Sequence, residues 1–568
     1  MHCGKVLDIG VQSFEKVYER KTFYVDKTGF IKEWWEKGAD VTLITRPRRF
    51  GKTLNMSMTE CFFSNQYAGR QELFEGLSIW GEEDYRKLQG AYPVIFLSFA
   101  SVKSGEPEKI KIAVKQIISN VYSSFRGIMK SEIFDGNDRK FFHMVNDDMA
   151  DETAYIAINR LCIYLEKYYG KKAIILLDEY DTPMQEAWLS SCWEETIEFF
   201  RNFFNAVFKT NSHLERGLIT GITRISKESI FSDLNNLEVI TTTSEKYAKY
   251  FGFTEEEVFE ALDAMGLGTE KQGVKHWYDG FTFGSVRDIY NPWSITSFIS
   301  NKGIYDTYWA DTSSNGLVNR LMRESNASIK KKFELLLLKQ HITVSVDEQI
   351  IYPYLDDNED AIWSLLLASG YLKVISIDNS HIMDSLEDET YELALTNHEV
   401  RRMFAKMVRG WFENVTEVYN EFIKALLNDN VKKMNTFMNK VALNTFSSFD
   451  SGSQPSQTAE PERFYHGFVL GLVVDLADRY KVRSNRESGY GRYDVMIVPF
   501  DKKEKAFIFE FKVLDRDEEE NSLEDTVASA LTQIEEKKYE TELIAEGISE
   551  ENIRKYGFAF EGKRCLIG

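Results

Sequence analysis

Short apolar runs that alternate with longer amphipathic segments are the feature that most constrains the fold of the first 245 residues. Each run has the pattern of a strand buried on both sides, and each intervening segment has the apolar spacing of a helix. The runs are VTLIT (41–45), YPVIFLSF (92–99), KAIILLDEY (172–180) and RGLITGIT (216–223). Buried strands that alternate with helices form a parallel sheet covered by helices on both faces. We therefore predict an α/β domain at residues 1–245.

The rest of the chain divides into two further parts. From about residue 246 to residue 440 the pattern is mainly helical and charged, as in FTEEEVFEALDAMG (253–266). A polar stretch follows, and the last hundred or so residues return to mixed helix and strand. A chain of 568 residues is too long for a single hydrophobic core. We predict domains at 1–245, 246–440 and 441–568, with a linker at about 447–461.

Net charge and cysteine usage narrow the functional classes. The net charge is −20 and the isoelectric point is about 5.1, so nucleic acid cannot be bound through the overall charge and would need a local basic patch. The five cysteines are dispersed without a CxxC pair, which fits a reducing cytoplasm and argues against structural zinc. The N-terminus lacks an apolar signal core, and no apolar run is long enough to span a membrane. We expect a cytoplasmic protein without a membrane partner.

The stretch LITRPRRFGKTLNMSM (43–58) places a basic turn between an apolar run and a helical pattern. Gly51 would let the backbone bend so that its N–H groups face a phosphate. Lys52 would reach the β- and γ-phosphates of ATP, and Thr53 would offer its hydroxyl to Mg²⁺. Arg46 replaces the first glycine of the general P-loop motif. The alternative is a basic strand-to-helix turn without a ligand, and the strand and helix around the turn favour nucleotide binding.

A second group of residues fits the same site. The run AIILLDEYD ends in Asp178 and Glu179, where the first acid can hold Mg²⁺ and the second can orient the attacking water as a catalytic residue. Alone, a strand that ends in two acids is weak support, because many strands end in solvated acids. Arg224 follows the last apolar run, in a position suited to sensing the γ-phosphate. An ordinary surface arginine is the alternative for Arg224.

Together these residues resemble a bacterial AAA-ATPase-like family whose members often carry a C-terminal nuclease domain. The resemblance rests on YVDKT (24–28), RPRRFGKT (46–53), LLDEYD (176–181) and GITRISKESIFSDLNNL (221–237). Since RPRRFGKT is characteristic of this family, Arg46 departs from the general P-loop but not from this branch. The resemblance implies a P-loop NTPase sheet that binds ATP and Mg²⁺. The predicted nucleotide contacts are Arg46, Arg49, Phe50, Gly51, Lys52, Thr53, Leu54, Asp178 and Arg224, and Thr53 and Asp178 are the predicted Mg²⁺ ligands.

Three segments extend the resemblance into the helical middle region. They are WYDGFTFG (277–284), YNPWS (290–294) and YWADTSSN (308–315). Their chemistry does not indicate a function: exposed aromatic rings could stack bases, but packing in a core is the commoner use of Trp and Tyr. Because AAA-type ATPases often assemble, the resemblance also makes a homo-oligomer an expectation.

The stretch GYGRYDVMIVPFDKKEKAFIFEFKV (489–513) is predicted to form two apolar strands around a polar turn. With the turn centred on Lys502, Asp494 faces Glu510 across the hairpin. Lys512 follows Glu510 by two residues and therefore points to the same face. Two opposed carboxylates repel each other unless something positive lies between them. A one-residue slip would separate the two acids, so this inference depends on the register.

Paired carboxylates hold hard cations such as Mg²⁺, with Mn²⁺ as a second candidate, and an adjacent lysine can offset developing negative charge. The arrangement resembles the PD-(D/E)XK nuclease superfamily, with Asp494 as the first acid and Glu510-Phe511-Lys512 as the second motif. Tyr493 replaces the proline that usually precedes the first acid, which is a common variation. The resemblance implies a C-terminal α/β domain of the restriction-endonuclease type, with Asp494 and Glu510 as metal ligands and both acids and Lys512 as catalytic residues.

Two further residues fit the layout of that superfamily. Glu462 lies at the start of a helix before the hairpin and could be a third metal ligand. Gln533 lies on the helix after the hairpin and could support catalysis. The alternatives are a helix N-terminal acid for Glu462 and a plain surface residue for Gln533. The predicted local basic patch for nucleic acid consists of Lys481, Arg483, Arg486 and Arg492.

The sequence therefore predicts a P-loop ATPase joined to a metal-dependent nuclease. The expected reaction is Mg²⁺-dependent hydrolysis of phosphodiester bonds, with DNA as the expected substrate and with the nucleotide state regulating cleavage. One alternative is a nucleotide-dependent signalling or scaffold switch whose nuclease-like domain only binds nucleic acid or a partner. Another is an ATPase without any cleavage.

Overall fold

The structure is a computed structural model. It describes residues 9–209, 211–225, 230, 234–309, 316–348, 352–356, 358–378, 389–411, 416–449, 459–488, 491–514, 520–561 and 564–568. Its helices are α1 (Phe14–Arg20), α2 (Gly29–Lys37), α3 (Lys52–Phe63), α4 (Glu83–Arg86), α5 (Pro107–Ser124), α6 (Gly136–Met144), α7 (Asp151–Tyr169), α8 (Thr182–Leu189), α9 (Trp193–Phe204), α10 (Glu255–Ala264), α11 (Lys271–Tyr278), α12 (Pro292–Ser300), α13 (Gly316–Glu324), α14 (Ala327–Leu337), α15 (Glu359–Ala368), α16 (His398–Gly410), α17 (Thr416–Leu427), α18 (Val431–Phe449), α19 (Ala459–Asp475), α20 (Leu523–Lys537) and α21 (Glu540–Ala545).

The strands follow the predicted apolar runs closely in the first part of the chain. They are β1 (Val41–Thr45), β2 (Val94–Ser98), β3 (Ala173–Asp178), β4 (Leu214–Gly221), β5 (Leu237–Ile240), β6 (Phe253–Thr254), β7 (Phe281–Phe283), β8 (Val286–Tyr290), β9 (Ile342–Ser345), β10 (Leu372–Asp378), β11 (Thr390–Leu395), β12 (Tyr480–Ser488), β13 (Gly491–Pro499), β14 (Ala506–Val513), β15 (Ile553–Glu561) and β16 (Arg564–Ile567).

The chain divides into two compact units. One comprises Met1–Ser314 and Thr343–Val400, and the other comprises Asn315–Ile342 and Arg401–Gly568. Both units are therefore discontinuous in sequence, because each contains a segment that interrupts the other. These compact units are a different division from the predicted domains, so the domain limits at residues 245 and 440 stay a prediction.

The first unit is built on a five-stranded parallel sheet in the order β2-β3-β4-β1-β5, which confirms the predicted α/β class. Successive residues of a strand point to opposite faces. Ile174 and Leu176 of β3 belong to an aromatic-rich core with Phe62 of α3 on one face. Ile175 and Leu177 point to the other face and are also fully buried. Helices therefore cover both faces, and the sheet is apolar on both sides.

The region from 246 to 440 contains many helices, as predicted, and also two small sheets that the sequence analysis did not predict. These three-stranded sheets have the orders β6-β8-β7 and β10-β11-β9. Their strands are short, and short apolar runs are hard to distinguish from buried helix segments by periodicity alone.

The second unit contains a five-stranded sheet in the order β12-β13-β14-β15-β16. Its neighbouring strands are antiparallel except for the parallel pair β14 and β15. A parallel pair needs a crossover connection, and α20 and α21 lie in the connection between these two strands. Met496, Ile508 and Ile534 of α20 belong to one buried core, so α20 packs on the face of the hairpin that carries Met496 and Ile508.

In the part of the chain that the structure describes, no helix combines the length and the apolar character needed to cross a lipid bilayer.

Candidate nucleotide and metal sites

The predicted phosphate-binding turn lies between β1 and α3. Gly51 has φ 79° and ψ 13° directly before the first residue of α3, and its carbonyl accepts a hydrogen bond from Asn55 N at 2.9 Å. A Cβ placed on Gly51 would have no atom within 4 Å, so the left-handed backbone and not lack of space favours glycine here. The turn therefore ends at the amino end of a helix of 12 residues, where backbone N–H groups can bind an anion.

A cavity of about 530 Å³ lies against this turn. That volume is within the range of ordinary small-ligand sites, about 300–1,000 Å³. The predicted site residues that line it are Arg49, Phe50, Gly51, Lys52, Thr53, Leu54 and Glu179. Three other predicted nucleotide residues do not line it, namely Arg46, Asp178 and Arg224.

Lys52 is held by the turn itself. Its Nζ donates hydrogen bonds to the backbone carbonyls of Arg46 and Pro47, both at 3.1 Å, and lies 3.4 Å from Glu179 Oε1. The side chain is 2% exposed, so its ammonium has exchanged water for these protein oxygens. A phosphate in the cavity would find a cation that is already positioned.

Asp178 joins the turn to the central strands. Its Oδ2 accepts a hydrogen bond from Thr53 Oγ1 at 2.8 Å, and its Oδ1 accepts one from Thr220 Oγ1 at 2.6 Å. Burial, and after it the charge of Glu179, raises the pKa of Asp178. A hydroxyl and a carboxylate in contact are oxygen ligands of the kind that Mg²⁺ prefers, so this pair fits the ion. Thr220 was not among the predicted site residues, although it lies near the polar end of a strand that neighbours β3.

Glu179 has a backbone conformation that is uncommon for a residue with a side chain. Its φ is 53°, in the left-handed region, directly after the last residue of β3. Such a conformation costs free energy and persists only where the surrounding structure enforces it, which is common at functional sites. It sets Glu179 beside Lys52 at the wall of the cavity.

Arg46 has a different position from the predicted one. Its guanidinium is fully buried and donates to the carbonyls of Thr45 at 2.8 Å and Thr241 at 2.6 Å. It also lies 4.4 Å from the centre of the Phe283 ring. The guanidinium therefore ties the turn to residues around it, which is a structural role, and it is not available to a phosphate in the cavity.

Arg224 follows β4 and lines a separate cavity of about 20 Å³. The segment that carries it is held to the end of β3 by two side chains. Asp181 Oδ2 accepts hydrogen bonds from the backbone N–H groups of Ile222 at 2.9 Å and Thr223 at 2.8 Å. Tyr180 donates its hydroxyl to Thr223 O at 2.8 Å. The role of Arg224 as a sensor stays a prediction, and Asp181 and Tyr180 are the residues that position its segment.

The predicted register of the C-terminal hairpin is confirmed. Ile497 pairs with Phe507 and Val495 with Phe509, as a turn centred on Lys502 requires. Asp494 and Glu510 are the next residues beyond these pairs, and they continue the stripe that Met496 and Ile508 begin. That stripe is the apolar core under α20. The two acids therefore extend a hydrophobic surface, which explains why both are desolvated.

The electrostatics of this pair differ from those of ordinary surface acids. Burial, and after it the Asp494 carboxylate, raises the pKa of Glu510 to about 8. Burial raises the pKa of Asp494 to about 6, although the N–H of Phe511 donates to Asp494 Oδ2 at 2.8 Å and favours the charged form. Among the described residues, the buried Glu510 Oε2 has no hydrogen-bond partner. A divalent cation would supply what this oxygen lacks, so the donor set fits Mg²⁺ or Mn²⁺.

Helix α20 supports the acids and the lysine. The amide Nε2 of Gln533 donates to Glu510 Oε1, and it also lies 3.3 Å from the hydroxyl of Tyr539. Lys512 Nζ donates to Ser529 Oγ at 3.0 Å. The structure thus brings Asp494, Glu510, Lys512 and Gln533 together. Ser529 and Tyr539 were not among the predicted site residues, but Ser529 lies one helical turn before Gln533, a spacing that indicates a shared face.

Glu462 was predicted as a third metal ligand of the hairpin site. The side chain of Glu462 is not among the described residues. Within the described part of the chain, no group of three or more His, Cys, Asp or Glu side chains could hold a metal ion, so the two acids of the hairpin are the ligands on which the site rests there.

The predicted basic patch is not free in the way that the sequence analysis assumed. Arg483 is 7% exposed, and its Nη1 donates to Glu542 Oε1 and Glu546 Oε1, both at 2.6 Å. This double ion pair neutralises the guanidinium, so Arg483 does not offer its charge to nucleic acid. Lys481 is exposed, and the side chains of Arg486 and Arg492 lie outside the described residues.

The fold thus places a glycine-containing strand-to-helix turn with a buried lysine in one unit and a desolvated pair of carboxylates with a lysine in the other. Comparison with known families agrees. Residues 8–231 match the family described as "Predicted AAA-ATPase", and residues 460–568 match the PD-(D/E)XK nuclease superfamily. The chain therefore carries an AAA-ATPase-like domain followed by a PD-(D/E)XK nuclease superfamily domain, two families whose members are typically enzymes.

One relative with a curated sequence adds little about function. An uncharacterized protein in the vnfD 5' region of Azotobacter chroococcum mcd 1 is 27% identical over 326 residues. These residues are 57% of this chain and 57% of the relative, so the chain spans little more than half of the relative's length.

Proposed function

We propose that this protein binds and hydrolyses ATP and that its C-terminal domain hydrolyses phosphodiester bonds of DNA with a divalent cation. The observation that carries the nuclease part is the pair of desolvated carboxylates with a lysine beside it. Asp494 and Glu510 have raised pKa values, and Glu510 Oε2 is buried without a donor. An arrangement that is unfavourable without a cation, in a domain of a nuclease superfamily, supports a catalytic metal site over a purely structural one.

In the proposed nuclease reaction, the oxygen of water forms a new bond to phosphorus, the P–O bond to the leaving oxygen breaks, and the leaving oxygen takes up the proton that the water gives up. Asp494 and Glu510 would hold Mg²⁺, which when bound activates water and offsets charge on the phosphate. Phe511 N–H orients Asp494, and Gln533 orients Glu510. Lys512 would place its positive charge beside the phosphate as negative charge develops there.

In the proposed ATPase reaction, the turn at Gly51 binds phosphate through backbone N–H groups. Lys52 contributes the positive charge, and Thr53 and Asp178 would hold Mg²⁺. Glu179 would orient the attacking water. Glu179 now lies beside the Lys52 ammonium. When a γ-phosphate binds to that ammonium, this ion pair would break, and the Glu179 carboxylate could then bind the attacking water. We place both reactions in the cytoplasm, where the cysteines stay reduced, and assembly into a homo-oligomer remains a prediction.

Cleavage is tested by incubating plasmid and single-stranded DNA with the protein in Mg²⁺, in Mn²⁺ and in EDTA. Glu510→Gln and Asp494→Asn should lower the rate by about 1,000-fold or more, since each removes a metal ligand. Glu536→Gln is the matched control, because Glu536 is an exposed acid on α20. If wild type binds DNA but never cleaves it with either metal, the protein is a switch or scaffold and the nuclease proposal is wrong.

Regulation by nucleotide is motivated only by the presence of both domains in one chain. It predicts that ATP changes the cleavage rate of wild type at constant free Mg²⁺ and that Lys52→Ala abolishes this dependence. Free Mg²⁺ must be buffered, because ATP chelates it. Equal cleavage rates with and without ATP, in wild type and variant alike, would mean that the two activities are independent.

A further inference from the structure

Ser529 is the hydrogen-bond partner of the lysine in the candidate nuclease site. Lys512 Nζ donates to Ser529 Oγ at 3.0 Å, and Ser529 lies in the middle of α20. Serine at an inward position of a helix has no intrinsic advantage for helix formation. Its presence there therefore calls for an explanation in its contact with Lys512.

The hydroxyl that accepts the hydrogen bond from Lys512 is uncharged, so the ammonium keeps its full positive charge. Lys512 Nζ donates its hydrogen bond to the hydroxyl oxygen of Ser529, which carries no charge. The ammonium is also close enough to Asp494 and Glu510 to oppose the rise in pKa that burial causes in both carboxyls. A serine hydroxyl fixes the direction of the ammonium without cancelling its charge, whereas an ion pair would reduce what remains for a phosphate.

The geometry of α20 makes this contact part of a larger arrangement. Ser529 and Gln533 are one helical turn apart, and they bond Lys512 and Glu510, which share one face of β14. The buried side chains of Ala530, which follows Ser529, and Ile534, which follows Gln533, hold the helix in place. A rigid helix thus sets the spacing of both strand residues.

We propose that Ser529 is a positioning residue that holds the Lys512 ammonium at the Asp494–Glu510 pair, and that a residue with a hydroxyl is required at this position. The effect on catalysis rests on the proposed nuclease function. The contact between Ser529 and Lys512 does not depend on that function, so the contact and its effect on catalysis can be tested separately.

The contact is tested without metal or DNA by labelling the amines of the intact protein with an amine-reactive reagent at one fixed pH. Mass spectrometry measures the labelling rate of Lys512 relative to the exposed Lys503 in wild type, Ser529→Ala and Ser529→Thr. In Ser529→Ala we expect Lys512 to react about 2- to 10-fold faster, the factor that one hydrogen bond is worth, with the rate restored in Ser529→Thr. An unchanged rate in Ser529→Ala overturns the proposal.

The positioning role is tested by comparing cleavage with DNA binding in Ca²⁺. Ser529→Ala should lower the cleavage rate by about 10-fold, because a misplaced catalytic group costs rate and not binding. The DNA dissociation constant should stay within about twofold, since the charge of Lys512 is retained, and Ser529→Thr should recover most of the rate. If Ser529→Ala cleaves like wild type, the proposal is overturned even where the labelling rate changes. If wild type cleaves nothing while the labelling result holds, the proposed nuclease function fails and the contact stands as a structural one.

Discussion

The two candidate sites differ in how completely their buried charged groups are hydrogen-bonded within the protein. In the nucleotide site the charges already have protein partners: Lys52 bonds two carbonyls, and Asp178 accepts two threonine hydroxyls. In the hairpin site, Glu510 keeps a buried oxygen without a donor beside a second desolvated acid.

This difference predicts different responses to ligands. A site whose charges are internally satisfied can stay folded in the same way when empty, so nucleotide mainly replaces existing partners. A site with two desolvated acids and an unpaired carboxylate oxygen is destabilised until a divalent cation binds, so metal should stabilise the second unit directly. Five measurements test this contrast.

The largest expected effect is on nucleotide binding. Lys52→Ala should weaken ATP binding by about 100-fold or more, since it removes a buried cation from the phosphate site. Isothermal titration of the intact chain with ATP and Mg²⁺ measures this, and Lys87→Ala, an exposed lysine of the same unit, is the control. Glu179→Gln should bind ATP like wild type but hydrolyse it slowly. Equal affinities of Lys52→Ala and wild type would place the nucleotide elsewhere.

The next effect is the pH dependence of metal binding in the hairpin. Because the pKa values of Asp494 and Glu510 are raised to about 6 and about 8, Mg²⁺ must displace protons at neutral pH. Apparent Mg²⁺ affinity and cleavage should rise by up to about tenfold per pH unit between pH 6 and 8 and level off above.

Stability in EDTA should change in the opposite direction. A carboxyl whose pKa is raised by folding favours the folded state at low pH, and this contribution is lost as pH rises toward about 8. Thermal unfolding in EDTA and in Mg²⁺ should therefore diverge with increasing pH. Parallel melting temperatures from pH 5 to 8.5 would contradict a desolvated acid pair.

A smaller effect tests how tightly the nucleotide unit is packed around the end of β3. A Cβ on Gly221 would lie 2.7 Å from Asp181 Oδ1 and from the Tyr180 ring. Gly221→Ala should therefore cost about 1–3 kcal/mol of unfolding free energy and loosen the segment that carries Arg224. Gly127→Ala is the control, since a Cβ there has no atom within 4 Å. Denaturant unfolding measures both, and equal midpoints would show that the packing yields easily.

The smallest effect compares one acid from each site. At a pH above about 8, where Glu510 is ionised, Glu510→Gln should stabilise the metal-free protein by about 0.5–2 kcal/mol, because it removes a buried charge from beside Asp494. Asp178→Asn should instead destabilise it, because an amide cannot accept both threonine hydroxyls in the same way. Unfolding in EDTA, with Glu536→Gln as control, decides between them. Destabilisation of similar size in both variants would remove the contrast between the sites.

Much of this arrangement could be predicted from local sequence. The apolar runs located β1 and β3 to within a few residues, because buried strands leave continuous apolar patterns. The hairpin register followed from one turn and the twofold alternation of a strand, so Asp494 and Glu510 could be placed on one face.

Other contacts could not be predicted, because they join parts of the chain whose separation in sequence says nothing about their distance. Thr53 and Asp178 are 125 residues apart, and Arg46 bonds a carbonyl 195 residues away. Arg483 was predicted to be part of a basic patch because of its position in the sequence, but two glutamates of a later helical segment neutralise its charge.

The order of the amino acids is enough to assign residues to a shared strand face or turn, since those relations depend on backbone periodicity and turn geometry. Which charges are paired and which are left desolvated depends instead on the three-dimensional packing. Lys52 acquired partners, Arg46 was buried, and Glu510 was set against Asp494 under α20. The physical reason is that burial and pairing depend on the packing of distant elements, and the free energy of a charge depends on both.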